Sequence, residues 1–152
     1  MKASLLDRLL DTGPDTREES ALGGSISFGQ LRSAVERDLE NLLNSRCFPA
    51  DIPASYTEVR KSLLLYGFAD FTSRNPTLPS VQTELRQEME RAIALFEPRL
   101  RNVRVRVEVP ASGERRLLFK ISALLKVEDE IAEPVVFDTF FDSNRCEYSI
   151  NR

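Results

Sequence analysis

The chain has no histidine anywhere in its 152 residues. That removes the commonest general acid–base side chain, and any serine or cysteine nucleophile would lack its usual imidazole partner. Cysteine is nearly absent too. Cys47 and Cys146 stand far apart, with no CxxC or other metal-ligand spacing, so no metal site and no cofactor is expected. There is no GxSxG, no glycine-rich phosphate loop after a strand, and no acidic cluster placed for magnesium. Nor does any stretch approach the roughly 20 apolar residues needed to span a bilayer. The leucines near the start are interrupted by Asp7 and Arg8, which is not the pattern of a secretory signal. These absences predict a cytoplasmic protein with reduced thiols and no direct membrane insertion.

Lysine is scarce as well. The positive charge comes from 17 arginines and only 4 lysines, against 24 acidic residues, for a net charge of -3. A chain without an overall basic field is poorly suited to nucleic acid as its main partner. Arginine suits planar, bidentate ion pairs at protein interfaces. Skewed genomic base composition explains the bias equally well.

What is present reads as one compact domain with a short attachment. A chain of this length buries a sufficient core without staples. Residues 1–24 form an N-terminal helix and flexible linker. Leu5, Leu6, Leu9 and Leu10 share one face behind Ser4, followed by Gly13, Pro14 and the Gly23–Gly24 pair. Residues 25–152 form the domain. Leu31, Val35, Leu39, Leu42 and Leu43 recur at helical spacing between about Ser27 and Arg46. A second helix is predicted from Thr57 to Tyr66, with Val59, Leu63 and Tyr66 on one face and Gly67 as its stop. The following stretch to Pro79 reads mostly as loop. A long helix is predicted from Val81 to Phe96, capped by Ser80, with Val81, Leu85, Met89, Ile93 and Phe96 as its stripe.

After Glu97 the period falls to two. Val103, Val105, Val107 and Val109 alternate with charged residues. Leu117, Phe119, Ile121, Ala123, Leu125 and Val127 form the inner row of a second strand. A loop at residues 129–134 precedes a third strand with Val135, Phe137, Thr139 and Phe141 inward. Cys146, Tyr148 and Ile150 are the inner row of a short fourth. The fold class is therefore α+β, with N-terminal helices packed on one face of a small C-terminal antiparallel meander. A small terminal sheet also leaves free edges unless something covers them.

One corner is odd on physical grounds. Glu97, Pro98 and Arg99 follow the long helix. A carboxylate at a helix C-terminus faces the negative end of the dipole, which costs roughly 0.3–1 kcal/mol unless it is paired. Arg99 and Arg101 are the nearest cations. A local helix-stop ion pair and a docking surface both fit. A glycosidase with Glu97 as general acid is an alternative, since two carboxylates suffice for that chemistry. Neighbouring arginines would lower the acid's pKa, the wrong direction for a general acid.

In order along the chain, the segments SLLDRLL, LRSAVERDLENLLNSR, SLLLYGFAD, FEPRLRNVRVRV and EPVVFDTFFD resemble the TssE family of type VI secretion baseplate components. That family is in turn similar to the sheath-initiating wedge protein of contractile phage tails. The most specific element is the Glu97-Pro98-Arg99 corner between an amphipathic helix and an Arg/Val strand. Phe140–Phe141 departs from the family pattern, where a polar residue and a leucine are expected. The resemblance implies a non-enzymatic structural subunit that joins TssF, TssG and TssK in the baseplate wedge. It also implies a surface on which the contractile sheath of TssB and TssC begins to polymerise, at the inner face of the cell envelope. Partner contacts are expected at Glu97, Pro98 and Arg99, and at Leu5, Leu6, Leu9 and Leu10 of the tethered helix. A regulatory adaptor of the same fold is a further reading.

Overall fold

The computed structural model describes residues 27–48, 52–53, 55–71, 74–75, 78–108, 116–127, 131–142 and 145–151. The N-terminal leucines Leu5, Leu6, Leu9 and Leu10 lie outside these residues, as does the boundary proposed near residue 24.

Helix α1 spans Phe28–Asn44. Ser27 opens it with a capping box: its hydroxyl accepts from the Gln30 N–H, and the Gln30 side chain accepts from the Ser27 N–H at 2.8 Å. The helical stripe read from the sequence is the buried face, with Val35, Leu39 and Leu43 fully enclosed. Helix α3 spans Pro79–Phe96 and buries Leu85, Met89, Ala92 and Ile93. Its start differs from expectation. Ser80 lies inside the first turn and Leu78 is the N-cap, because Pro79 at the first helical position already holds the required φ and has no N–H to satisfy.

Between these two helices the expected Thr57–Tyr66 helix does not form. There is a single turn, α2, at Thr57–Arg60 and then a 3₁₀ turn at Leu63–Leu65. Ser62 divides them in an extended conformation, with its hydroxyl donating to the Val59 carbonyl at 2.6 Å. Val59 and Leu63 are exposed as a result. Gly67 does not simply stop a helix. At φ 120° it lets the chain run beside the end of α1, where Arg46 bridges Phe68 in parallel. A Cβ there would lie 2.5 Å from the Ser45 carbonyl oxygen. This close approach inserts Phe68, from a stretch read mostly as loop, into the core edge-to-face with Tyr148.

The sheet is an antiparallel meander of β1 (Leu100–Glu108), β2 (Arg116–Lys126), β3 (Ala132–Asp142) and β4 (Glu147–Ile150), in that order. The period-two rows are its buried face: Val103 and Val105, then Leu117 through Leu125, then Val135, Phe137 and Thr139, then Tyr148 and Ile150. Both helices lie on that side, α3 against β1 and α1 against β4. The fold is α+β, as the sequence pattern requires.

Two local readings are corrected, and β1 carries an irregularity that the period-two pattern does not show. Asn102 and Val103 together oppose Ala123, a β-bulge with Asn102 at φ 53°. The bulge keeps both Leu100 and Val103 inward although they are three residues apart. Cys146 takes φ 52° in the turn before β4 and is exposed rather than inward. Glu133 and Pro134 belong to β3 rather than to the loop before it. Asp138 accepts from the Asn151 N–H on the β4 side, so the alternate residue Pro134 turns its missing donor toward that same side, beyond the end of the short β4.

Candidate functional site

Glu97 ends α3 at φ -120°, ψ 79°, its N–H still donating to Ile93 at 2.8 Å. It is only 4% exposed, so its carboxylate is desolvated as well as opposed by the helix dipole. Two features offset that cost. Pro98 turns the chain, and Arg99 folds back with its guanidinium against the acid. The Arg99 Nε donates to Glu97 Oε1 at 2.7 Å and Nη2 to Oε2 at 2.6 Å, a bidentate fork. The Arg99 N–H adds a longer bond to Oε1 at 3.3 Å.

The same Arg99 Nη2 also reaches Asp38 Oδ2 on α1 at 2.5 Å, and Asp38 Oδ1 accepts from Arg37 at 3.1 Å. The corner is thus a charge chain that ties α1 to the junction of α3 and β1. Its acids hold the Arg99 pKa above the usual guanidinium value, the hydrogen bond that Arg99 donates to Glu97 being the largest cause and burial opposing it. Arg101, the other candidate partner for Glu97, points away and is exposed.

Beside this chain lies an open cleft of about 390 Å³, lined by Leu42, Tyr66, Phe96 and Pro98 together with the charged groups. The Tyr66 and Phe96 rings meet edge-to-face at 5.3 Å. Burial raises the Tyr66 phenol pKa, and Asp38 and Glu97 raise it further. Pro98 is exposed at the rim. Asp38 and Tyr66 were not legible as members of the site. Asp38 is 61 residues from Arg99, and no local pattern marks it out from the other charged residues of α1.

Chemically the corner can brace and present a surface. Both oxygens of Glu97 are committed to Arg99, and the neighbouring carboxylate of Asp38 is bound by the same guanidinium.

The family model described as baseplate wedge protein gp25 matches residues 29–130. The chain belongs to that family. The match runs from α1 through β2 and takes in the whole corner, so the resemblance drawn from the Glu97-Pro98-Arg99 motif and its flanking segments holds. The gp25 family is one of structural baseplate components, and the chain has the fold expected of such a wedge protein. A chain in a solved structure, described as the baseplate complex from the type VI secretion system, is similar to this one at 16% identity. The likeness covers 74% of this chain and 94% of that chain, with a TM-score of 0.51, and at that identity it is a likeness of fold. No curated protein matches the sequence. Among the described residues, no helix is long and apolar enough to cross a membrane.

Proposed function

We propose that the chain is the gp25-type wedge subunit of a type VI secretion baseplate, the part called TssE. In this reading it joins TssF, TssG and TssK to the contractile sheath of TssB and TssC, and offers the surface on which sheath polymerisation starts. It works in the cytoplasm at the inner face of the envelope and catalyses nothing. Membership of the baseplate wedge family carries the reading. The corner supports it: a buried ion chain makes the turn rigid, and the exposed Pro98 and the Tyr66–Phe96 cleft beside it give a partner a preformed surface. The apolar face of Leu5, Leu6, Leu9 and Leu10 is a second contact, docking on another wedge subunit.

The test is sheath assembly in cells carrying a fluorescent sheath subunit. Because Glu97 is buried, Glu97→Ala alone would confound folding with docking. Pro98→Ser alters the exposed rim without removing Glu97, Arg99 or Asp38 and without adding a charge that competes for Arg99. It should abolish sheath foci while the purified protein still melts cooperatively near the parent temperature. Deleting residues 1–16 should weaken wedge assembly with the same cooperative melt. Normal sheaths in both variants would defeat the docking assignments. Peptidoglycan hydrolysis that survives purification and disappears in Glu97→Gln would defeat the structural reading itself.

A further inference from the structure

Both helices pack on one face of the sheet, and their side chains also reach its edges. The Asn44 amide accepts from the Tyr148 N–H at 2.8 Å and donates to the Tyr148 carbonyl at 2.9 Å. Glu40 accepts from the Ile150 N–H at 2.8 Å, and Glu90 from the Val105 N–H at 2.9 Å. The opposite face has no such cover: among the described residues no element lies across it. The register sets what stands there, in rows that cross the strands. Leu124 and Pro134 make one row, and Arg104, Ser122 and Val136 the next. Arg106, Lys120 and Asp138 follow, and then Glu108, Leu118, Phe140 and Ser149. All of these are exposed or half-exposed.

Two features of this face go together. Its charge is divided by strand. Arg104, Arg106, Lys120 and Lys126 lie on β1 and β2, whereas Asp138, Asp142 and Glu147 lie on β3 and β4. Glu108 and Arg145 reverse the signs at one end of the sheet, again on opposite edges. Its apolar groups run down the middle: Leu118 and Leu124 on β2, and Pro134, Val136 and Phe140 on β3. Phe140 stands where the family pattern leads one to expect a polar residue. An open groove of about 450 Å³ lies beside it, lined by Asp142, Arg145, Glu147 and Ser149.

Opposite charges on the two halves of one face, with hydrocarbon between them, make a self-complementary surface. We infer that a second copy of this chain stacks on the outer face, about a two-fold axis that runs parallel to the strands between β2 and β3. This axis lays β2 over β3 of the other copy and β1 over its β4. Lys120 of each copy then meets Asp138 of the other, with Arg106 alongside. Leu118 meets Phe140 and its groove, and Ser122 meets Val136. Within one chain the Lys120 ammonium stands 3.9 Å from Asp138 Oδ1, too far for a hydrogen bond, so it is not committed to its own neighbour. A two-fold axis across the strands would lay β1 on β1 and β2 on β2, basic side chains on basic side chains, and repulsion disfavours it. The face measures roughly 15 by 35 Å. Two such faces bury about 1,000 Å², the lower limit for a specific interface. The dimer is therefore weak, with a Kd on the order of 10 μM. The inference goes beyond the assembly reading and does not depend on it.

The test is sedimentation equilibrium of the purified full chain between about 1 and 200 μM, a range that brackets the expected Kd. A reducing buffer keeps Cys47 and the exposed Cys146 from linking copies. The expected result is a monomer–dimer equilibrium. Lys120→Glu and Asp138→Lys should each raise the Kd about tenfold or more, because two symmetry-related pairs become repulsive. An equimolar mixture of the two variants should restore dimers at the parent Kd, since in the mixed dimer each new carboxylate faces a lysine. Phe140→Ser should weaken the dimer without that rescue. Thermal melts of each variant confirm that it is folded, and recovery on mixing cannot come from a folding defect. A parent chain that stays monomeric to the top of the range overturns the inference. So does a dimer indifferent to both charge variants, which places the contact elsewhere, or two weakened variants that do not recover when mixed. None of these outcomes touches the baseplate reading, which is tested in cells.

Discussion

The corner between α3 and β1 and the connection at residues 56–66 both carry the chain from one element to the next, with opposite economy. At the corner, Glu97 is buried and both its oxygens are bound by Arg99, which also reaches Asp38 on another helix. In the connection, Leu63 is 87% exposed, and Tyr56, Leu64 and Val59 are exposed around it. One segment places charge inside the protein and the other places hydrocarbon outside. A buried charge needs its partners in place and so fixes geometry. An exposed leucine fixes nothing in the isolated chain. The corner is therefore a fixed reference in the molecule, and the exposed leucines of the connection contribute little to it, although Tyr66 at its end packs on Phe96 beside the corner.

The largest effect should come from cutting the corner. Replacing Glu97 by alanine leaves the Arg99 guanidinium partly buried with Asp38 alone. Loss of one member of a buried pair costs about 3 kcal/mol, and denaturant melts should show a loss of that order. This is larger than the cost expected for an exposed pair, because the side chain of Glu97 is only 6% exposed and that of Arg99 24%. A loss under about 1 kcal/mol would place the pair with surface ion pairs and erase the contrast with the connection.

Gly67 joins the two regions, since it ends the connection and seats Phe68 in the core. Gly67→Ala should cost about 2 kcal/mol, from a Cβ driven against the Ser45 carbonyl at a φ that alanine resists. An unchanged melting temperature would mean that the strand-like contact between Arg46 and Phe68 is dispensable. Smaller again, and confined to alkaline solution, is the effect of Tyr66. Its phenol is raised above its ordinary value of 10.0 by burial and by the corner acids. A pKa raised in the fold means that the stabilising contribution is complete below pH 10 and is lost as pH rises through the folded value. Tyr66→Phe should flatten the decline in stability above pH 10 and leave the neutral-pH melt nearly unchanged.

The contrast also explains what could be read from the residues alone. Every element whose apolar face meets the core was legible by its period: the stripe of α1 from Leu31 to Leu43, that of α3 from Leu85 to Ile93, and the alternating rows of the sheet. The Glu97–Arg99 pair was legible because a dipole and a proline leave a local acid in need of a cation. Asp38 was not, because nothing near it in the chain signals a contact 61 residues away. The helix expected over residues 57–66 failed for the converse reason. Val59, Leu63 and Tyr66 have helical spacing, but only Tyr66 packs, against Phe96, while Val59 and Leu63 stay exposed, and with so little tertiary burial so short a helix has little to hold it. The Ser62 hydroxyl then donates to the Val59 carbonyl where the helical turn ends. The side chains that close the sheet edges, Asn44, Glu40 and Glu90, look in sequence like ordinary polar positions on helices.

The smallest expected effect lies in the connection. Leu63→Ser combined with Leu64→Ser removes two large apolar side chains, and in a core such a change would cost several kcal/mol. Leu63 is 87% exposed and Leu64 49%, so little burial is lost on substitution. Surface changes of this kind stay within about 0.5 kcal/mol, and the double variant should melt within a degree or two of the parent. The outcome decides between two accounts of the patch. If stability is unchanged in the isolated protein, the leucines contribute nothing to the fold, and the contrast with the corner is complete. If the double variant loses 2 kcal/mol or more, these leucines are covered in solution, and the segment at 56–66 belongs to the core after all. A Glu97→Ala comparison under the same conditions sets the scale. The corner should lose several times more from one substitution than the connection loses from two.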